Sequence, residues 1–343
     1  MQENIDALKS LILGHAINIV ITTHQKPDAD ALGSSLALYN FLLQYGHHVS
    51  VITPTDYPKF IQWMVGNDKV LNFENDTYTQ KKCLQLIDEA DLIFCLDFGN
   101  YERIKDMHEP VAKSNARKVL IDHHLDPEIK AHFTLWDHHA AATCELIYDL
   151  IVLLSGKDKI NMPIGECIYA GIMTDTGSFR FPSTSKKVHL IIAELIALGV
   201  DNSKIHRLVY DNNTEEKLRF LGYSLAHKLY VLPQYHTAYI VINSEELKKY
   251  NSQTGDTEGL VNYALSIEHV YFAAIIIERE DMVKLSFRSS GDFSVNNFAH
   301  MHFEGGGHKN AAGGKSILSL EQTVNKFLSL LPMHQKELQS EYN

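Results

Sequence analysis

Four short apolar runs in the first half of the chain, Ile17 to Thr23, Val49 to Thr53, Leu92 to Asp97 and Lys118 to Asp122, are continuous rather than alternating in polarity. A strand with one wet face alternates every second residue, so continuous runs of this length belong to strands covered on both faces. Helical patterns separate and follow them, among them Ala31 to Tyr45, which Gly46 would end as a left-handed cap, and Thr143 to Leu154. This alternation predicts an α/β fold built on a doubly wound, mostly parallel sheet. From about Pro163 to Lys228 the pattern is mainly helical. Strand-like Ala238 to Asn243, Val270 to Glu278 and Met282 to Arg288 follow, then a last amphipathic helix, Leu320 to Leu331. The expected organisation is a first domain over 1–189, a helical linker over 190–232 and a smaller α/β C-terminal domain over 233–343.

With 343 residues, 45% of them apolar and 21% charged, the chain has material for about two full cores and none of the composition of a disordered segment. Its longest apolar stretches fall far short of the roughly 18 to 20 residues that span a bilayer. The N-terminus is acidic, unlike a signal peptide, so a cytoplasmic protein with no membrane partner is expected. Cys83, Cys95, Cys144 and Cys167 are scattered in apolar surroundings and read as buried reduced thiols. The formal charge of -11 argues against long duplex nucleic acid, whose affinity rests on many Lys and Arg contacts to phosphate. A short phosphorylated substrate stays open, and so does a homodimer.

The chemistry concentrates at the carboxyl ends of the apolar runs, where an open α/β sheet binds its ligands. The first run enters Thr23-His24-Gln25-Lys26-Pro27-Asp28-Ala29-Asp30-Ala31-Leu32-Gly33-Ser34, with a histidine and two carboxylates where a dinucleotide fold would carry its glycines. Gly33 permits close approach of a helix. The third run ends on Asp97 and the fourth on Asp122-His123-His124, while Asp175 ends an apolar helical segment. Buried together, four such aspartates would repel one another by several kcal/mol unless neutralised, and two divalent cations supply about the charge required. Oxygen-rich ligands with a minority of imidazole favour Mn²⁺ or Mg²⁺, and a pair of such ions suits displacement at phosphorus. Asp137-His138-His139 repeats the Asp-His-His composition, but it does not directly follow a buried strand and Asp137 could simply start a helix. The first triplet is therefore preferred.

Near the C-terminus, Gly305-Gly306-Gly307-His308-Lys309 offers backbone N–H groups and two side-chain donors to an anion. Arg288 and Ser289 end a strand nearby, and Arg suits bidentate phosphate binding. Arg103 and Arg180 are further candidates for phosphate contacts.

His24-x3-Asp28-x-Asp30, Asp97, Asp122-His123-His124 and Asp175 resemble, in order, the four signature motifs of the DHH phosphoesterase family, and Gly305 to Gly313 resembles the glycine-rich motif of its associated C-terminal domain. The resemblance implies that His24 and Asp28 hold one cation, that Asp30, His123 and Asp175 hold the other, and that Asp97 bridges them. It implies that His124 acts at the substrate and that Asp122 orients a histidine. The expected cofactor is two divalent cations, Mn²⁺ first, with Mg²⁺ or Co²⁺ as alternatives. Within the family, a two-domain chain of this length resembles the group that hydrolyses short oligoribonucleotides or the 3′-phosphate of pAp. A cyclic di-AMP or linear dinucleotide phosphodiesterase, an exopolyphosphatase or pyrophosphatase, and an inactive nucleotide-binding regulator are the other readings. In such an enzyme the linker would serve as a hinge.

Overall fold

Helix α1 (Gln2–Ile12) precedes β1 (Asn18–Thr23), and β1 is central to a six-stranded sheet in the order β3-β2-β1-β4-β5-β6. Every neighbouring pair in it is parallel. The other strands are β2 (His48–Thr53), β3 (Leu71–Asn72), β4 (Leu92–Leu96), β5 (Arg117–Asp122) and β6 (Phe133–Trp136). This is a computed structural model, and it describes residues 2–253, 255–257 and 259–339. The chain falls into two compact units, 1–212 and 213–343.

The continuous apolar runs have the expected cause. Leu92, Phe94 and Leu96 of β4 face one core together with Ile19 and Ile21, under helices α2 (Ala29–Leu43), α5 (Thr143–Ser155) and α6 (Met162–Asp175). Ile93 and Cys95 of the same strand face a second core with Val20 and Leu120, under α3 (Thr77–Asp88) and α4 (His108–Lys113). Both faces are covered, so a polar residue on either would lose water without gaining a partner. All four cysteines are buried free thiols. Burial alone pushes the Cys95 thiol up to about 12.

The helical stretch read as a linker is divided between the units. Helices α7 (Lys186–Leu198) and α8 (Asn202–Tyr210) bury Val188, Ile191, Leu195 and Ile205 in the core of the first unit, whereas α9 (Glu215–His227) buries Phe220 in a core of the second. Their apolar faces make them part of each unit's body.

The second unit is a mixed sheet in the order β11-β12-β10-β9-β8-β7. Its strands are β7 (Leu229–Leu232), β8 (Thr237–Ile242), β9 (Phe272–Glu278), β10 (Val283–Ser289), β11 (Gly306–His308) and β12 (Ala311–Ser316). Only β8 and β9 pair in parallel; the other neighbours are antiparallel. Helices α12 (Val295–His302) and α13 (Leu320–Gln339) cover one face through Phe298 and Phe327 against Phe272 and Phe287. The other face packs on α9 and α11 (Leu260–Leu265). Helix α10 (Ser244–Lys249) begins on a capping box made by Asn243 and Glu246. The glycine motif is partly strand. Gly306 and Gly307 form β11, and a Cβ on Gly305 would stand 2.0 Å from the Gly313 carbonyl oxygen. These glycines let two strands approach closely. Among the described residues no helix is long and apolar enough to cross a membrane.

Candidate metal centre

Strand order reverses between β1 and β4, so the loops leaving their carboxyl ends diverge and open a crevice. The loop after β1 carries His24, Asp28 and Asp30 into it, and β4 ends directly on Asp97. The Asp97 backbone is left-handed, with φ 64°, a conformation that aspartate tolerates better than most side chains. Its N–H donates to the Ile121 carbonyl at 3.0 Å, which fixes it beside the end of β5. From that end come Asp122, His123 and His124, and α6 supplies Asp175 as its last residue.

Asp97 divides its two oxygens. Oδ2 lies 3.2 Å from His24 Nε2, and Oδ1 lies 3.4 Å from His123 Nε2. His24 Nε2 is also 4.0 Å from Asp28 Oδ2, while His123 Nε2 is 3.7 Å from Asp30 Oδ2 and 3.5 Å from Asp175 Oδ2. The side chains therefore form two potential ligand groups, His24/Asp28/Asp97 and Asp30/His123/Asp175, with ligand atoms in each within 4.8 Å of one another. Both imidazoles are oriented from behind: His24 Nδ1 donates to the Gln25 carbonyl at 2.8 Å and His123 Nδ1 to the Ala140 carbonyl at 3.1 Å. A carbonyl oxygen can only accept, so each Nε2 points at the carboxylates as a metal-ligating nitrogen should.

Asp30 is fully buried, and the first N–H groups of α5 hold it: Thr143 N–H donates to Oδ2 at 2.7 Å and Cys144 N–H to Oδ1 at 2.8 Å. Thr143 Oγ1 donates to Asp97 Oδ1 at 2.9 Å. Sequence reasoning missed Thr143. Its signal, a threonine at the first position of a helix, reads in one dimension as an ordinary helix start. Asp28 has a structural duty as well, because its Oδ1 caps α2 by accepting from Asp30 N–H and Ala31 N–H. Asp122 Oδ1 accepts from His124 Nδ1 at 2.8 Å, so Asp122 orients the second histidine of its triplet.

Close packing surrounds Asp30. A Cβ on Gly33 would lie 2.7 Å from the Cys167 carbonyl oxygen, and one on Gly171 would lie 2.3 Å from Cys144 Sγ and 2.8 Å from Asp30 Oδ1. The glycines let α2, α5 and α6 meet around that carboxylate. Gly171→Ala should therefore cost about 1–3 kcal/mol of stability by overpacking and weaken cation affinity; a melting temperature and an affinity equal to wild type would contradict this account.

The charges are mismatched without a cation. Burial, then the neighbouring Asp97, pushes the Asp30 carboxyl up to about 7, and burial with Asp30 and Asp28 raises Asp175 well above its ordinary range. Burial also raises the Asp97 carboxyl, but hydrogen bonds from His123 and His24 outweigh it and hold the group well below the usual range. Burial lowers both histidines, and for His24 so does Arg103; the nearby carboxylates outweigh this and raise His24, and raise His123 well above its usual value. A buried array that binds protons this avidly, offering carboxylates and two oriented imidazole nitrogens, fits divalent cations.

A pH dependence follows. Asp30 and Asp175 keep protons in the folded state that the unfolded chain releases near pH 4, and His24 and His123 keep theirs above about 6.5. All four shifts make the cation-free fold lose stability as pH rises from about 4 through 7. The lowered Asp97 titrates below that window. Thermal melts of chelator-treated protein should show a lower Tm at pH 8 than at pH 6, and a larger rise at pH 8 on adding saturating Mn²⁺ or Mg²⁺. Equal rises at both values would show that carboxylate repulsion is not what the ions relieve.

The second triplet lies elsewhere. Asp137, His138 and His139 are all exposed, though their ligand atoms also lie within 4.8 Å of one another. Asp137 Oδ1 accepts from His139 N–H at 2.9 Å and so shapes a turn, whereas α5 begins at Thr143 with Ala142 as its cap. Asp137 does not start the helix.

The remaining predicted residues are placed as follows. Arg103 lowers the His24 pKa through its charge, and its carbonyl accepts from Gln25 N–H at 2.7 Å, which ties it to the β1 loop. Arg180 is exposed, its guanidinium 5.9 Å from the Phe181 ring centre. In the second unit, Arg288 lies on β10 opposite Ala311 and donates to the Phe287 carbonyl at 2.9 Å. Ser289 Oγ donates to the Phe293 carbonyl at 2.6 Å and accepts from Asn310 Nδ2 at 2.9 Å. Gly307 N–H donates to Asn296 Oδ1 at 2.8 Å, and Lys309 pairs with Asp292 at 2.6 Å. Gly306 and His308 are the ends of β11.

A model described as the DHH family, N-terminal domain, matches residues 18–172, and one described as the DHHA1 domain matches residues 233–333. The chain belongs to the DHH family. Asp175, the last carboxylate of the centre, lies just beyond the DHH match. A crystal structure of an exopolyphosphatase-related protein from Bacteroides fragilis is 39% identical to this DHH chain, with a TM-score of 0.93 over 99% of this chain and 98% of that one. The bifunctional oligoribonuclease and PAP phosphatase NrnA of Bacillus subtilis is 28% identical over 89% of this chain and 90% of its own, and that of Thermus thermophilus is 29% identical over 90% and 88%. The protein is thus a DHH-family phosphoesterase, a hydrolase with acidic and histidine clusters at the strand ends that could hold metal ions.

Proposed function

We propose that the protein hydrolyses short oligoribonucleotides and the 3′-phosphate of pAp in the cytoplasm, with two divalent cations, Mn²⁺ in first place. The observation that carries this reading is the division of the Asp97 oxygens between two imidazole–carboxylate groups. When bound, two such ions activate water and offset the charge that develops at phosphorus. His24 and Asp28 would hold one, Asp30, His123 and Asp175 the other, and Asp97 would touch both. His124, fixed through Nδ1 by Asp122, would donate from Nε2 to a phosphate oxygen or the leaving group.

The substrate class rests on the Bacillus and Thermus relatives. The Bacteroides relative favours a second reading, polyphosphate hydrolysis. Purified protein with Mn²⁺, assayed in parallel on pAp, RNAs of 2 to 24 nucleotides, cyclic di-AMP, pApA and polyphosphate, separates them. Turnover of pAp and the shortest RNAs is expected, and activity confined to polyphosphate would replace the first reading with the second.

Substrate phosphate contacts are assigned to Arg103 and Arg180 in the first unit and to Arg288, Ser289, Gly306, Gly307, His308 and Lys309 in the second. Groups that bind substrate and transition state alike change KM more than kcat. Arg288→Ala is expected to raise KM by the equivalent of about 1–3 kcal/mol with cation content unchanged. An unaltered KM for every substrate turned over, or a lost cation, removes Arg288 from that role.

A further inference from the structure

Helix α9 carries Gly222 in its interior, on its exposed face, and a Cβ there would meet nothing within 4 Å. Glycine is a poor helix former, so packing does not account for it. What surrounds it is a shallow groove of about 310 Å³ lined by Arg219, Tyr223, His227 and Tyr250. The rings stand side by side: Tyr223 and Tyr250 have centroids 5.1 Å apart at 33°, and Tyr223 and His227 lie 5.3 Å apart at 42°. Lys249 Nζ lies 5.5 Å from the Tyr223 centroid and 5.4 Å from that of Tyr250.

Two of the nearby acids pair with neighbouring groups. Glu246 accepts from Tyr223 OH at 2.7 Å and pairs with Lys228, which holds the ring in place, and Glu215 pairs with Arg219 at 2.7 Å. These two pairs balance their own charges, and Lys249 adds a positive charge beside the partly exposed ring faces on a chain of net charge -11. Aromatic faces with interleaved Arg and Lys suit a planar base carrying a phosphate, because stacking tolerates any base and the cations track the backbone.

We infer that this groove binds a nucleotide of a single-stranded RNA, its base against Tyr223 and Tyr250 and its phosphate at Arg219 and Lys249. The inference rests on the proposed function for the choice of RNA as ligand and adds a second, non-catalytic RNA site. None of its residues belongs to the proposed metal centre or phosphate contacts.

The test uses the full chain with its cations and a fluorescent, hydrolysis-resistant phosphorothioate 12-mer of adenylate, with binding followed by anisotropy. Gly222→Leu fills the groove while favouring the helix, and it should weaken 12-mer binding about tenfold or more, as should Tyr223→Ala. Tyr223→Phe keeps the ring and should restore binding. Lys249→Glu should weaken binding and reduce its salt dependence by about one phosphate contact. Hydrolysis of pAp and of dinucleotides should be unchanged in all of them. The groove is not an RNA site if the wild type fails to bind the 12-mer, or if Gly222→Leu and Lys249→Glu bind it with wild-type affinity. If instead the wild type hydrolyses neither pAp nor RNA but the groove variants still lose the 12-mer, the proposed function falls and the groove stands.

Discussion

Asp97→Asn should lower kcat by at least roughly 10³-fold, the scale seen when a central electrostatic element of an active site is lost. The substitution is a clean one. Asparagine accepts the left-handed backbone that Asp97 adopts, at φ 64°, and its amide oxygen can still accept from Thr143. What changes is the negative charge and the second acceptor oxygen, one of which faces His24 and the other His123. Cation content should fall with kcat. The measurement is steady-state turnover across a Mn²⁺ titration, and near-normal turnover at any concentration would refute a bridging role.

The second large effect separates the two Asp-His-His triplets. His123→Ala removes a side chain that is 3% exposed and faces three carboxylates, so it should abolish metal-dependent activity and lower the number of ions bound per chain. His138→Ala alters an exposed ring that stacks on Trp136, and it should leave both quantities intact. Elemental analysis of the two purified variants decides between them. The opposite pattern would transfer the centre to the exposed triplet.

Much of this was legible in one dimension because a parallel sheet writes itself plainly. The run Leu92 to Leu96 is apolar throughout since both faces of β4 are covered, and the aspartate that follows must emerge at the sheet's edge. The shared edge then brings His24, Asp97 and His123 together whatever the loop lengths. Less legible were the groups whose part depends on tertiary approach. Thr143 becomes a donor to Asp97 only because the start of α5 lands on Asp30, 113 residues earlier in the chain. Gly305 to Gly307 offer their backbone N–H groups to an anion by composition, but nothing in one dimension showed that Gly306 and Gly307 would pair with β12 as strand. The helices between 190 and 232 carried no mark of which unit would claim them, since an amphipathic face does not name its partner.

Every proposed cation ligand, from His24 to Asp175, lies within the first unit, which ends at residue 212. The first and last of them are separated by more than two thirds of that unit's length, so no short fragment contains the whole proposed set. If the proposed ligands do hold cations, the set is incomplete during synthesis until α6 has left the ribosome, and any relief that cations give the carboxylates comes late. Cation scarcity at that moment would leave a nascent first unit with its acids still repelling one another, before the second unit has been made.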